Sequence, residues 1–150
     1  MIFRLLLLVM LLFAIGCSDL INESELESKR GLLYNPKNSK PYSGKVYRLY
    51  STGSKMREGV FDLGAIDGSY TYYDNEGSII VPVEENRLDL KDGKKYFPGT
   101  DREYWGLAYG LYQTGETSYE VFYEGGKLSS EYTYFKLDGS VKDPIFMSLL

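Results

Sequence analysis

The stretch that decides the fold reads Gly44-Lys45-Val46-Tyr47-Arg48-Leu49-Tyr50-Ser51-Thr52-Gly53, and a related stretch lies 62 residues further along the chain. The second stretch reads Gly106-Leu107-Ala108-Tyr109-Gly110-Leu111-Tyr112-Gln113-Thr114-Gly115. At this offset residues 31–82 align with residues 93–144 without a gap, and 18 of the 52 aligned positions are identical. Repetition at a fixed period is the signature of a repeat protein. The sequence therefore predicts two tandem copies of one structural unit.

The composition of both copies is typical of strands joined by tight turns. Tyr accounts for 15 of the 150 residues and Gly for 16, and short runs rich in Tyr, Val, Phe and Thr are bounded by Gly. No segment beyond the N-terminal run shows a sustained helical rhythm. We therefore predict an all-β fold, a meander of short antiparallel hairpins. The turn signals are Ser51-Thr52-Gly53, Asp67-Gly68, Asn75-Glu76-Gly77, Lys91-Asp92-Gly93, Thr114-Gly115, Glu124-Gly125-Gly126 and Leu137-Asp138-Gly139.

The first 16 residues have the anatomy of a secretory signal peptide. Arg4 supplies positive charge, and residues 5–15 form an unbroken apolar run of 11 residues. Such a run is too short to span a bilayer, which needs about 20 residues, but it suits the apolar region of a signal peptide. The segment is therefore predicted to direct export.

The residues that follow resemble a bacterial lipobox. They read Ala14-Ile15-Gly16-Cys17, with Ala14 in the place where Leu is usual, and Cys17 is the only cysteine of the chain. The resemblance implies cleavage between Gly16 and Cys17 and attachment of lipid to the Cys17 thiol. The alternatives are an ordinary signal peptide with a chance cysteine, or an uncleaved anchor. Ser18 follows, and the absence of Asp there favours the outer membrane by resemblance to enterobacterial sorting rules.

The remaining chain is predicted to form one domain that is anchored to the bacterial cell envelope. Polar and acidic residues precede the first copy, and an apolar stretch follows the second. The predicted parts are a signal peptide (1–16), a lipidated Cys17 with a polar tether (17–29), and a β-repeat domain (30–150) made of copy one (31–82), copy two (93–144) and a C-terminal cap (145–150).

The composition also excludes several functions. The chain has no His, which removes Ser-His-Asp and Cys-His catalysis and His-based metal sites. The mature part carries 16 Lys and Arg against 21 Asp and Glu, so nucleic acid is not an expected partner. The carboxylate clusters Glu84-Glu85, Asp89/Asp92 and Asp101/Glu103 are interpreted as solvated turn residues. We therefore expect no catalytic residue, no metal and no cofactor.

One segment resembles a known repeat family. Gly68-Ser69-Tyr70-Thr71-Tyr72-Tyr73-Asp74-Asn75-Glu76-Gly77 resembles the bacterial MORN-variant repeat, whose usual form is Gly-x-aromatic-x-x-Tyr-x-x-x-Gly. The opening of copy two departs from copy one, with Glu103-Tyr104-Trp105 in place of Pro41-Tyr42-Ser43, and Ser130 replaces Gly68. Members of this group are often labelled antitoxins of the YwqK type. The resemblance implies binding of a partner protein rather than catalysis.

The sequence favours two functions, and a weak enzyme that uses carboxylates, with Glu84 and Glu85 as its best candidates, is kept as a third hypothesis. The first is a lipid-anchored, non-enzymatic scaffold that binds a protein partner, with the membrane contacted through the lipid on Cys17. The second is a glycan- or cell-wall-binding module that uses Tyr and Trp side chains as platforms. Trp105 interrupts the repeat, so the surface expected to be specific to one copy lies around it. The candidate binding residues are Tyr104, Trp105, Tyr72 and Tyr134.

Overall fold

The computed structural model describes residues 20–142, and these residues form short strands with two 3₁₀ turns. The predicted signal peptide, Cys17 and the cap at 145–150 lie outside the described residues. In copy one the elements are β1 (Ile21–Asn22), a 3₁₀ turn (Glu23–Glu25), β2 (Glu27–Lys29), β3 (Leu32–Asn35), β4 (Lys40–Pro41), β5 (Gly44–Leu49), β6 (Lys55–Asp62), β7 (Ala65–Tyr73) and β8 (Ile79–Ile80). In copy two they are β9 (Val83–Glu84), a 3₁₀ turn (Glu85–Arg87), β10 (Asp89–Lys91), β11 (Lys94–Tyr96), β12 (Gly106–Leu111), β13 (Thr117–Glu124), β14 (Lys127–Leu128) and β15 (Thr133–Tyr134). Within residues 20–142 no helix is long and apolar enough to cross a membrane.

Each copy consists of a main sheet and a small flap. The main sheet of copy one has the order β1-β5-β6-β7-β8, and that of copy two has β9-β12-β13, with both β14 and β15 paired to β13. The flaps are β2-β3-β4 and β10-β11. The predicted all-β meander is confirmed, because nine of the eleven strand pairs among the described residues are antiparallel. The strands that open the copies are the exception, since β1 and β9 run parallel to β5 and β12.

The copies begin earlier than sequence identity indicated. At the same 62-residue offset, Ile21 corresponds to Val83, and each begins a short strand that is followed by a 3₁₀ turn. Ile21 packs on the core of copy one and Val83 on that of copy two. The prediction of a polar tether over residues 17–29 is therefore wrong from Ile21 onward, because these residues are built into copy one.

One tight turn in each flap and one in each main sheet use two consecutive residues with positive φ. Leu63 and Gly64, with φ of 48° and 86°, join β6 to β7, as Gly125 and Gly126 join β13 to β14. The prediction of a turn at Asp67-Gly68 is wrong, because both residues lie inside β7. Asp67 and Gly68 lie opposite a register shift in β6, between Glu58 and Val60. Gly68 therefore accommodates an irregularity in the pairing of β6 with β7 and does not form a turn.

Leu63 is strained at this turn, and replacing it by Asn should stabilise the protein. The left-handed conformation costs a non-Gly residue about 1–2 kcal/mol, and Asn-Gly is the preferred pair for such hairpins. The Leu63 side chain is 69% exposed, so little packing is lost. We expect Leu63→Asn to raise the free energy of unfolding by about 1 kcal/mol in urea denaturation. Leu137→Asn, at an exposed leucine without positive φ, should leave it unchanged.

The two copies bury equivalent cores between main sheet and flap. The corresponding pairs of core residues are Leu26 and Leu88, Tyr42 and Tyr104, Val46 and Ala108, Phe61 and Tyr123, and Tyr70 and Tyr132. Differences in side-chain size between the two cores are compensated by the residue on the neighbouring strand. Val46 pairs with Gly59 in copy one, whereas Ala108 pairs with Val121 in copy two, so a smaller residue on one strand is matched by a larger one on its neighbour. The copies therefore conserve packing volume rather than identity.

Candidate binding surface

Each main sheet has a front face, which carries the core, and a back face. Strand alternation places Tyr70 and Tyr72 on the front of copy one, and Val60 and Thr71 on its back. By the same register, Tyr132 and Tyr134 belong to the front of copy two, and Phe122 belongs to its back. The flap covers only part of each front. The rest of each front is where a neighbour can pack.

The back of copy two covers the front of copy one. The Phe122 ring lies 6.2 Å from the Tyr72 ring, between centroids, and 5.5 Å from the Arg57 guanidinium. Glu120 lies on the same back face, where burial raises the pKa of its carboxyl and the Arg57 charge opposes that rise. The two copies are thus stacked front to back, with Phe122 as the central contact.

Arg57 is held in this junction by a carboxylate of the first 3₁₀ turn. Its Nη2 donates to Glu23 Oε1 at 2.8 Å and its Nε donates to Glu23 Oε2 at 3.0 Å. The guanidinium also lies 4.2 Å from the centre of the Tyr70 ring. Both side chains of this pair are at most 15% exposed. A forked pair of this kind fixes the guanidinium geometry, so the contact surface for Phe122 is rigid.

A second set of contacts joins the copies around Trp105. The Trp105 ring meets the buried Tyr50 ring edge-on at 5.2 Å between centroids. Arg102 Nη2 donates to Asp74 Oδ2 at 2.9 Å, and Ser51 donates to Glu124 through both its hydroxyl and its backbone N–H. Trp105 stands at the position of Ser43 in copy one, and its ring packs against copy one through Tyr50.

Copy two presents the corresponding front surface without such a cover among the described residues. Tyr119, Tyr132 and Tyr134 occupy the positions of Arg57, Tyr70 and Tyr72, and we call them the tyrosine face. The Tyr132 and Tyr134 rings are stacked with centroids 5.9 Å apart, and the Tyr119 ring lies 5.3 Å from that of Tyr132. Tyr119 and Tyr132 are less deeply buried than Tyr70 and Tyr72.

The tyrosine face rests on Glu85, the equivalent of Glu23. The Tyr119, Tyr123 and Tyr132 hydroxyls donate to its carboxylate at 2.8, 2.5 and 3.1 Å. The side chain is 13% exposed, and Lys95 Nζ lies 3.8 Å away. Burial raises the pKa of the Glu85 carboxyl, but the three hydroxyls and Lys95 outweigh burial and lower it. Burial and the bond to Glu85 raise the pKa of Tyr119 to about 12.

The backbone beside Tyr119 is shaped for its ring. A Cβ added to Gly110, on the paired strand β12, would lie 2.1 Å from Tyr119 Cε1. Copy one has Arg48 at the position of Gly110 and Arg57 at the position of Tyr119. The Gly–Tyr pair of copy two therefore lets the ring lie across the strand. The tyrosine face is a specific feature of copy two rather than a repeat of copy one.

The structure separates the four predicted binding residues. Tyr104 is fully buried, with its hydroxyl donating to Leu107 O, so the prediction that it lies on a binding surface is wrong. Trp105 and Tyr72 lie at the junction between the copies, and Tyr134 lies on the tyrosine face. Sequence reasoning also placed Glu85 in a solvated turn, which is wrong. Tyr119 was missed because its equivalent in copy one is Arg57.

The two ends of the stack differ. The back of copy one holds a pocket of about 260 Å³ lined by Leu20, Lys45, Glu58, Val60 and Thr71. Leu20, the first described residue, therefore lies at this back face. The tyrosine face lies on the front of copy two, at the opposite end of the stack.

Phe122→Ser tests the stacking of the copies. We expect it to lower the free energy of unfolding by about 2 kcal/mol in urea denaturation, because it removes a half-buried ring from the junction. The matched control is Val60→Ser, at the equivalent position of copy one, where the side chain is 43% exposed. That change should alter stability by less than about 0.5 kcal/mol. Equal effects of both substitutions would contradict the front-to-back arrangement.

Comparison with known proteins adds no relative. The chain matches no protein-family model, and no curated protein or solved structure is significantly similar to it. Within residues 20–142, no group of three or more Cys, Asp or Glu side chains is arranged to hold a metal ion.

Proposed function

We propose that this is a non-enzymatic, lipid-anchored protein of the bacterial cell envelope that binds a partner protein through the tyrosine face. One observation carries the proposal. The front of copy one is covered by Phe122 of copy two, whereas the equivalent Tyr119, Tyr132 and Tyr134 have no such cover among the described residues. The resemblance to MORN-variant repeats of the YwqK antitoxin type agrees with a partner-binding role.

The chemistry of the tyrosine face suits a protein partner. Tyrosine combines a large apolar ring with a polar hydroxyl, and it is enriched at protein interfaces. The bonds from Tyr119 and Tyr132 to Glu85 hold two of the three rings before any partner arrives. A preorganised surface loses less side-chain entropy on binding, and therefore retains more of its contact energy as affinity.

The position of the tyrosine face agrees with anchoring through Cys17. Leu20 lies at the back of copy one, so a lipid on Cys17 would hold that end toward the membrane. The tyrosine face at the other end of the stack would then point away from the membrane. A partner in the envelope would reach it without contact with lipid.

The anchoring is tested by Cys17→Ala. We expect the substituted protein to lose incorporation of radiolabelled palmitate and to move from the membrane fraction to the soluble fraction of the envelope. Ser18→Ala is the matched control and should keep both the label and the membrane association. Palmitate incorporation by the Cys17→Ala protein would refute lipid attachment at this residue.

Partner binding is tested by affinity capture from a detergent-solubilised envelope extract. Immobilised residues 18–150 should retain one abundant protein, identified by mass spectrometry, and Tyr134→Ser should reduce its recovery at least tenfold. The control is Tyr47→Ser, at a half-buried tyrosine of β5 in copy one. Capture that is lost with Tyr47→Ser but retained with Tyr134→Ser would place the binding surface elsewhere.

Glycan binding is the second candidate, and one observation favours it. Trp105 borders a pocket of about 260 Å³ whose other lining residues are polar: Asp74, Asn75, Glu76, Asp101, Arg102 and Glu103. An aromatic side chain beside carboxylate and amide groups is suited to sugar rings and their hydroxyls. Binding to purified peptidoglycan or surface polysaccharide that is abolished by Asn75→Ala would support this function. Absence of sedimentation with either would exclude it.

A further inference from the structure

We propose that the tyrosine face binds an arginine side chain of the partner protein, whose guanidinium stacks on the rings of Tyr132 and Tyr134. This inference rests on the proposed function and deepens it, because it names the chemical group that the partner supplies. The site consists of the three rings of the tyrosine face and of Glu85, which accepts hydrogen bonds from the hydroxyls of Tyr119 and Tyr132.

The junction between the copies shows that a cation and an aromatic ring already meet at the equivalent surface. In copy one the Arg57 guanidinium belongs to the front face, and the covering strand supplies the ring of Phe122 at 5.5 Å. The same guanidinium lies 4.2 Å from the centre of the Tyr70 ring. A ring face attracts a cation within about 6 Å of its centre, because the face carries partial negative charge. A cation–ring contact is therefore part of the contact between the copies.

Copy two reverses the roles of the two surfaces. Tyr119 stands at the position of Arg57, so the front of copy two carries a third ring where copy one carries the guanidinium. A cover that forms a cation–ring contact with this front must therefore supply the cation itself. The complement of the tyrosine face is a cationic side chain.

Lysine and arginine side chains lie over tyrosine rings in several parts of the described chain. The rings with a charged group 4.2–5.6 Å from their centres are those of Tyr34, Tyr70, Tyr73, Tyr96 and Tyr112. Among residues 20–142, no lysine or arginine lies in this way over Tyr119, Tyr132 or Tyr134. A cation for the tyrosine face must therefore come from another molecule.

Glu85 makes the tyrosine face attractive to a cation. Burial raises the pKa of its carboxyl, but the tyrosine hydroxyls and Lys95 lower it overall, so the group is charged at neutral pH. Hydroxyls that donate to a carboxylate are polarised by it, which makes their rings more negative. Lys95 Nζ lies 3.8 Å from Glu85, whereas Arg57 forms bonds of 2.8 and 3.0 Å with Glu23. The charge of Glu85 is therefore less fully neutralised than that of Glu23.

The charge of the whole chain also favours a basic partner. The chain has 17 Lys and Arg against 21 Asp and Glu, a formal net charge of −4 at pH 7. Long-range attraction speeds the encounter with a basic surface. Arginine suits the rings better than lysine, because its guanidinium is planar, stacks on aromatic faces and is more weakly hydrated. We therefore expect the partner to present an arginine within a basic surface.

NMR titration of the full chain, isotopically labelled and held in detergent micelles, tests the site. The probe is the peptide acetyl-Gly-Arg-Gly-amide, and two matched peptides carry citrulline or lysine in place of the arginine. We expect the arginine peptide to shift the ring resonances of Tyr132 and Tyr134 saturably, with a dissociation constant about tenfold lower than that of the uncharged citrulline peptide. The lysine peptide should bind more weakly than the arginine peptide.

Substitutions in the chain locate the binding. Tyr134→Leu removes a ring but keeps an apolar side chain, and it should weaken binding of the arginine peptide about tenfold. Glu85→Gln keeps the shape and removes the charge, and it should weaken binding about threefold. Glu84→Gln, next to the network but outside it, is the matched control and should leave the dissociation constant unchanged. The resonances of Val46 and Phe61, in the core of copy one, report whether each variant is folded.

Three results would overturn the inference: no ring shift with the arginine peptide, equal binding of the citrulline peptide, or unchanged binding to folded Tyr134→Leu protein. These results differ from a failure of the proposed function. If Tyr134→Ser reduces capture of a protein but the arginine peptide shifts no ring, the proposed function stands and the arginine is refuted. A ring shift by the arginine peptide without any captured protein would support the guanidinium site and contradict the proposed function.

Discussion

Tyr104→Ala should lower the free energy of unfolding by about 4 kcal/mol, the largest effect of any single substitution considered for this protein. The Tyr104 side chain is 0% exposed, and its ring contacts the Phe97 ring at 4.8 Å and the Tyr123 ring at 6.2 Å between centroids. Its hydroxyl donates to Leu107 O at 2.5 Å. Removal of the side chain leaves a cavity in the core of copy two and takes away the hydroxyl that donates to Leu107 O. Urea denaturation followed by circular dichroism measures the change.

Tyr104→Phe separates the ring from the hydroxyl. This variant keeps the packing and loses only the bond to Leu107 O, so it should cost about 1 kcal/mol. A loss below about 1 kcal/mol for Tyr104→Ala would mean that the residue is not the centre of the core. It would restore the prediction from sequence that Tyr104 belongs to a surface.

Glu85→Ala should have the second largest effect, a loss of about 3 kcal/mol in the free energy of unfolding. The substitution removes the acceptor of three tyrosine hydroxyls, those of Tyr119, Tyr123 and Tyr132. Buried donors without an acceptor are costly, and hydrogen bonds to a charged group are stronger than those between neutral groups. Urea denaturation at pH 7 measures the loss. The neighbouring Glu84→Ala, which lies outside the network, should cost less than about 1 kcal/mol.

The pH dependence of stability tests the charge of Glu85 separately. Its pKa in the folded protein is lowered, so its contribution is fully present above the unfolded value of about 4.3 and is lost as pH falls through the folded value. Glu85→Gln keeps the shape and removes the charge. The stability difference between the natural protein and Glu85→Gln should be constant from pH 7 to pH 5 and should shrink below pH 4. A difference that stays constant down to pH 3 would contradict a charged acceptor.

The repeat and the all-β fold could be predicted from the sequence because Gly and Tyr mark turns and strands at a constant offset. The true start of each copy could not. Between residues 21–30 and 83–92 the identical positions are Glu23 with Glu85, Leu26 with Leu88, and Lys29 with Lys91. In a polar stretch, these three matches look accidental. Two of the pairs nevertheless have structural roles, because Leu26 and Leu88 pack in the cores, and Glu23 and Glu85 bond side chains of the front faces.

The tyrosine face was only partly visible in the sequence. Tyr132 and Tyr134 stand out because they repeat Tyr70 and Tyr72, but repetition alone indicates packing in both copies. The two pairs differ in how the copies stack, because Phe122 of copy two covers Tyr72 in the pair of copy one. That order is a long-range property, and it is not encoded in any local pattern. Trp105 was interpreted as a residue specific to one copy and as part of a candidate binding surface, and the structure places it between the two copies.

The parallel pairing of β1 with β5 would limit the distance between this domain and a bilayer if Cys17 carried a lipid. Ile21 lies opposite Val46 in this pairing, and the first described strand therefore begins four residues after Cys17. A chain of four residues spans at most about 14 Å. If Cys17 carries the lipid, this short connection would keep the domain close to the headgroups of its own leaflet. A protein that binds at the far end of the stack would then do so near that membrane.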